Sequence, residues 1–167
     1  SLIVDAAGNL TLAGRTNSSD YPTINNGTAG GAGFDIVVTK LNAAGSALIG
    51  SRRIGGSGND GVNISDTRGL SSLQRNYGDD GRSEVILDAT GNVYVASSTQ
   101  SSDFPGTAGF FQPTFGGGSQ DGVLLKLSPD LGTILFSSYL GGSANDAAYV
   151  LSISPLTNNI YVGGGTE

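Results

Sequence analysis

The chain has 167 residues, a formal net charge of −6 and 28 glycines; 37% of its residues are hydrophobic and only 13% charged. It contains no Cys and no His, which excludes disulfides, thiolate chemistry, a Ser–His–Asp triad and a His-ligated zinc site within it. Its eight Lys and Arg residues are scattered apart from one local group, Arg68, Arg75 and Arg82, so the phosphate backbone of a nucleic acid is not an expected partner.

Runs of strand length follow one another between Gly-, Asn- and Asp-rich turns. In chain order they are LIV (2–4), LTLAG (10–14), DIVVTKL (35–41), ALIGSRRI (47–54), EVILD (84–88), VYVASS (93–98), VLLKL (123–127), TILFSSYL (133–140), YVLSIS (149–154) and IYVGG (160–164). IVV and VLLKL are apolar almost throughout, as strands covered on both faces are. No segment keeps a helical period, and no apolar run is long enough to cross a membrane as a helix. The expected class is all-β, without membrane insertion.

The chain also repeats itself. DAAGNLTLAGRTNSSDYP (5–22) aligns without gaps with DATGNVYVASSTQSSDFP (88–105), and a third copy, TNNIYVGGGT, closes the chain without the Asp and Gly of the turn. A second unit interleaves: GGAGFDIVVTKL (30–41) answers to GGSQDGVLLKL (117–127), and SALIGSRRIGGSGND (46–60) to GTILFSSYLGGSAND (132–146). Each copy carries turn chemistry. Asp5 and Asp88 are placed to accept backbone N–H bonds, Gly8 and Gly91 to take positive φ, and Asn9 and Asn92 to lead back into a strand. Asp35, Asp60, Asp121 and Asp146 each follow a Gly-Gly pair, where a short carboxylate can satisfy free loop N–H groups.

Four strands per repeat, joined as an antiparallel meander, make the unit of a β-propeller blade. The expected division is the end of one blade plus a loop over 1–33, a complete blade over 34–99, an inter-blade loop over 100–120 and a second complete blade over 121–167. That gives about two and a half blades of an incomplete ring. Tyr21 and Phe104, in the loops 17–34 and 100–120, are expected to plug the gaps between blades. The chain starts inside a repeat and stops directly after a strand, so the expectation is a piece of a larger propeller, a ring subunit or a filament subunit. In each case open sheet faces need company.

The joined elements DxxGNxYV, SxDFP, FQ, GGxxD, KL and SxYLGG over residues 88–146 resemble the SBBP-type β-propeller repeat of bacterial secreted and cell-surface proteins. The resemblance covers most of the chain and is weakest over 61–84 and at the final turn. It implies propeller architecture and an extracellular or surface setting. It implies no particular reaction.

The first repeat carries an insertion at about 65–83, SDTRGLSSLQRNYGDDGRS. Its Arg68, Leu70, Leu73, Arg75, Tyr77 and Arg82 are residue types enriched where proteins meet, and they form the candidate partner surface; an ordinary long surface loop is the alternative. Asn59-Asp60 and Asp79-Asp80-Gly81 offer hard oxygens but not the spaced array of a dedicated calcium loop. The carboxylates recur once per structural unit, which a turn explains better than catalysis does. No catalytic, cofactor-binding or metal-ligating residue is assigned. The expected function is therefore non-enzymatic: a secreted or surface module for adhesion or protein–protein assembly, with a protein or further copies of itself as partner. The alternatives are a carbohydrate-binding module using Phe104, Phe110, Phe111 and Phe115, or the non-catalytic part of a larger propeller enzyme.

Overall fold

The structure, a computed structural model, describes residues 1–24, 31, 33–64 and 83–167. Among the described residues it is all-β, with no helix and no closed barrel. The strands are β1 (Leu2–Val4), β2 (Leu10–Thr16), β3 (Asp35–Leu41), β4 (Leu48–Ile54), β5 (Glu84–Leu87), β6 (Val93–Thr99), β7 (Asp121–Leu127), β8 (Ile134–Leu140), β9 (Asp146–Ile153) and β10 (Ile160–Thr166). Every run of strand length in the sequence becomes one of them. They form two four-stranded antiparallel sheets, β1-β2-β3-β4 and β5-β6-β7-β8, and a two-stranded sheet of β9 and β10. These are two and a half blade-like meanders of an incomplete propeller.

The division of the chain into blades needs correction. Blades over 34–99 and 121–167 would put β3, β4, β5 and β6 in one sheet. Instead β2 pairs with β3 from Leu10↔Leu41 to Thr16↔Asp35, and β6 pairs with β7 from Val93↔Leu127 to Thr99↔Asp121. The chain passes from the first sheet to the second after β4 and from the second to the third after β8. The described residues between β2 and β3, and residues 100–120 between β6 and β7, therefore join strands of one sheet rather than two blades.

Those loops are long because they return to the outer strand of their own sheet. The Ile24 N–H donates to Ser51 O at 3.0 Å, laying the first loop along β4. The Thr107 N–H donates to Ser137 O, and Tyr139 N–H to Gln112 O, both at 2.9 Å, laying the second along β8. Each loop thus occupies polar edge groups that would otherwise pair with another chain. Phe104 is buried against Tyr139 of its own sheet, ring centroids 6.3 Å apart, and the Tyr139 hydroxyl donates to Ser101 O at 3.0 Å. The Tyr21 and Thr39 hydroxyls lie 2.7 Å apart, again within one sheet. Tyr21 fastens its loop to its own blade, whereas Phe104 does so and also belongs to the buried cluster that the first two sheets share.

The core lies between the sheets. Ala13, Ile36, Val38 and Ile54 of the first sheet meet Val85, Val93, Val95, Val123, Leu125 and Leu127 of the second. Strand alternation puts each set on one face. The β7–β8 turn locks this contact. Lys40 Nζ donates to Pro129 O at 3.2 Å, and Arg52 Nη1 donates to Leu131 O and Gly132 O at 3.2 and 2.8 Å. Gly50 on β4 permits the approach, since a Cβ there would overlap the Asp130 carbonyl. Leu131 holds φ 61°, where the preceding hairpin has Gly45 at 67°, and its side chain is fully buried. Core packing offsets a backbone conformation costly for leucine.

Candidate functional site

The repeated residues gather into two kinds of local structure, at opposite ends of the strands. At one end lies the Asp turn. The Asp5 carboxylate accepts from the Ala7 and Asn9 N–H groups at 2.9 Å and from Asn9 Nδ2 at 3.0 Å. Gly8 closes the turn at φ 84° with its N–H on Asp5 O. Asp88 repeats the arrangement with the Thr90 N–H, the Asn92 N–H and Asn92 Nδ2 at 2.8–2.9 Å, and Gly91 at φ 82°. A lysine two strands away completes each net: Lys40 at 3.2 Å from Asp5 and Lys126 at 3.6 Å from Asp88. The Asn9 side-chain bond leads in holding Asp5 down to about 2. For Asp88 burial pulls upward, but the bonds from Asn92 and Thr90 outweigh it and the carboxyl sits well below its ordinary range.

At the other end lies the Gly-Gly corner, where a strand leaves its sheet. The Gly56 N–H donates to Asp60 Oδ2 at 2.8 Å, and Gly142 N–H to Asp146 Oδ2 at 2.7 Å. The asparagine before each Asp caps the neighbouring strand: Asn59 Oδ1 accepts from the Phe34 N–H at 3.1 Å, and Asn145 Oδ1 from the Ser119 N–H at 2.8 Å. The other Asp of each unit faces the same corner. Asp35 Oδ1 and Asp121 Oδ1 are buried beside Gly55 and Gly141, with no conventional hydrogen-bond donor. A Cβ on either glycine would overlap that oxygen, and would lie 2.7 Å from Asp60 Oδ2 or 3.0 Å from Asp146 Oδ2. The first glycine of each pair is thus fixed by close approach of carboxylates. Asp35 also pairs with Arg53, whereas the Asp121 carboxylate takes the Gly116 N–H at 2.6 Å. Burial pushes Asp60 up to about 6, against the bonds from Thr99, Gly56 and Ser101 and with a contribution from the Asp35 charge. Burial also raises Asp121, with the Asp146 charge adding to it.

The corner is where consecutive units are tied. Asp60 pairs with Thr99 of the second sheet through a β-bridge and accepts the Thr99 hydroxyl, and its other oxygen takes the Ser101 hydroxyl at 3.0 Å. Asp103 accepts both the Ser57 N–H and the Ser57 hydroxyl, at 2.8 and 2.9 Å. The recurrent Ser-Ser-Asp is therefore a clamp on the preceding unit's corner. In the first unit the counterparts Ser18 and Asp20 bond each other.

The six residues of the candidate partner surface, Arg68, Leu70, Leu73, Arg75, Tyr77 and Arg82, lie outside the described residues, as does Asp79-Asp80-Gly81. The four phenylalanines separate. Phe104 and Phe115 pack on Tyr139, while Phe110 stacks on Phe136 at 4.9 Å and Phe111 is 84% exposed. Sequence reasoning missed Lys40, Lys126, Asn59, Asn145 and the Ser101–Asp103 clamp as bonding partners. Their signal was present, since KL, ND and SSD recur with the Asp positions. Two clefts lie along the row of Asp turns: one of about 540 Å³ between the turns at 5–7 and 87–91, and one of about 360 Å³ between the turn at 88–92 and the third sheet. No group of three or more acidic side chains that could hold a metal ion occurs among the described residues. No family model matches the chain, and no curated protein matches it.

Proposed function

We propose that this chain is a non-enzymatic assembly or adhesion module of the SBBP-type propeller repeat, working at the cell surface or outside the cell, with a protein partner or further copies of itself stacked head-to-tail. The observation that carries the reading is an uncovered apolar face. Leu2, Val4 and Leu12 of the first sheet are 57%, 54% and 36% exposed. Their counterparts at Val85 and Val95 in the second sheet are 2% and 0% exposed, buried against the sheet before. The same surface that one sheet uses as a docking face is thus presented bare by another. The Ser18–Asp20 pair beside it has the residues with which Ser101 and Asp103 grip a corner. A heterologous contact of this kind builds rings or filaments.

Light scattering and sedimentation of the chain test the reading. The expected result is concentration-dependent growth in mass that L2K/V4K suppresses. A monomer at every concentration, whose mass and solubility the double substitution leaves unchanged, overturns it. The exposed Phe111 beside the Phe110–Phe136 stack favours a second reading, glycan binding by aromatic stacking. A glycan array with F111A as control tests it, and no binding removes it.

A further inference from the structure

The two Gly-Gly corners are built from matching residues but do not carry the same charge. At the first, Asp35 and Asp60 border Gly55, and Arg53 of β4 pairs with Asp35 Oδ2. At the second, Asp121 and Asp146 border Gly141. Tyr139 takes the position of Arg53 there: Arg53 lies opposite Val37 on β3, and Tyr139 opposite Val123 on β7. Burial pushes the Tyr139 phenol up to about 12, so it is uncharged, and its hydroxyl donates to the Ser101 and Phe104 carbonyls instead.

Both carboxylates of the second corner are buried, Asp121 fully and Asp146 at 6% exposure. The donors that reach them are neutral: the Gly116 N–H on Asp121 Oδ2 at 2.6 Å, and the Gly142 N–H on Asp146 Oδ2 at 2.7 Å. Asp121 Oδ1 has no hydrogen-bond partner and points into the same small space as Asp146 Oδ2. A Cβ on Gly141 would overlap the first oxygen and lie 3.0 Å from the second. Among the described residues no Lys or Arg pairs with either carboxylate. Two neutral oxygens stand at the rim, the carbonyls of Gly142 and Gly141, at 2.5 and 2.9 Å from where Gly116 would carry a Cβ.

Two adjacent buried carboxylates repel, and each has given up hydration that calls for a positive charge in return. A further unit of the same pattern does not bring that charge. At the first corner the unit that follows gives Asp60 only the Thr99 and Ser101 hydroxyls, which are neutral. The difference lies in β8 itself, where tyrosine replaces arginine.

We propose that the second corner binds a hard cation of the calcium type, with Asp121 Oδ1 and Asp146 Oδ2 as its charged ligands, in the electrostatic role that Arg53 fills at the first. Hard divalent ions take all-oxygen sets, and the two glycine carbonyls and water are the oxygens at hand to fill the set. Asp121 opens β7 and Asp146 opens β9, so the ion fastens the second sheet to the third. The site lies within one chain and is independent of the assembly reading.

The experiment uses the whole chain, stripped of metal with a chelator and dialysed, and calcium chloride as the probe. Titration calorimetry is expected to find one site per chain, with a dissociation constant of about 10⁻⁴–10⁻³ M. At about ten times that concentration the thermal midpoint is expected to rise by about 3–6 °C, and by no more than ~1 °C in sodium chloride of matched ionic strength. D121N and D146N keep the side chain's shape and remove its charge. Each is expected to retain its circular dichroism spectrum and to bind at least about tenfold more weakly, whereas D130N, in an exposed turn, binds as the parent does. No binding up to about 10 mM calcium, an equal rise in the matched sodium salt, or undiminished binding in either folded asparagine variant overturns the proposal. Should both variants fail to fold, amide exchange of the parent chain decides: slowing by calcium concentrated at 121–123 and 146–148 upholds the site, and uniform or absent slowing overturns it.

Discussion

Glycine at positions 55 and 141 is demanded by its neighbours rather than by its own backbone angle. A Cβ on either would lie within 3.0 Å of two carboxylate groups, so even one methyl group forces buried side chains apart. G55A and G141A are expected to lower stability by about 2–4 kcal/mol in chemical denaturation, whereas alanine at Gly109, where a Cβ meets nothing within 4 Å, is expected to cost much less despite its positive φ. The same corner sets a pH dependence. Asp60 binds its proton at about 6 when folded, against an ordinary value of 3.8, so the folded state holds a proton between those values that the unfolded chain releases. Stability from this group is present below about pH 4 and is lost as pH rises through 6. Asp5 and Asp88, held low, act oppositely: what they contribute is present above about pH 4 and is lost as pH falls towards 2. Thermal midpoints are expected to peak in mildly acidic buffer, and D60N to flatten the decline between pH 4 and 7. An unchanged slope in D60N would show that another group sets it.

At the level of elements, ten strands and their turns are legible in the sequence because their causes are local. An Asp that accepts from residues two and four positions on needs nothing from the rest of the chain, and alternation of apolar residues is read within one strand. Which strands share a sheet is not legible in that way. β2 and β3 are separated by a loop long enough to reach another sheet, and no local rule says that this loop doubles back along β4 instead. Nor does spacing alone pair Asp35 with Asp60, or Ser101 with a corner far upstream. The loops' edge-covering role carries its own prediction. Replacing residues 105–116 by a short Gly-Ser link should leave the β6–β7 pairing intact and bare the edge of β8. Faster aggregation on shaking, read by thioflavin fluorescence, is expected relative to the intact chain. Equal lag times would mean that the loop protects nothing.

At the scale of the whole molecule, the first sheet is held to the second by a shared apolar core and by a few long-range bonds from strand to turn. Arg52 makes two of these, with its guanidinium buried between sheets. R52A leaves two turn carbonyls short of a charged donor and is expected to cost about 1.5–3 kcal/mol. The loss should fall on docking rather than on either sheet, so exchange protection is expected to drop first across the β7–β8 turn. Uniform loss over all strands would instead mean that the sheets melt as one unit.

The matched turns at Asp5 and Asp88 have a bearing on ancestry. The residue before each is an apolar strand end, Val4 in one case and Leu87 in the other, and the net behind each is closed by a lysine of the same sheet. Unequal crossing-over between the two coding stretches would therefore join β1 directly to the second turn, with every surviving junction already a native one. Deletion of residues 5–87 recreates that event in a single cloning step, and it removes one sheet while keeping the Asp88 turn and its Lys126 partner.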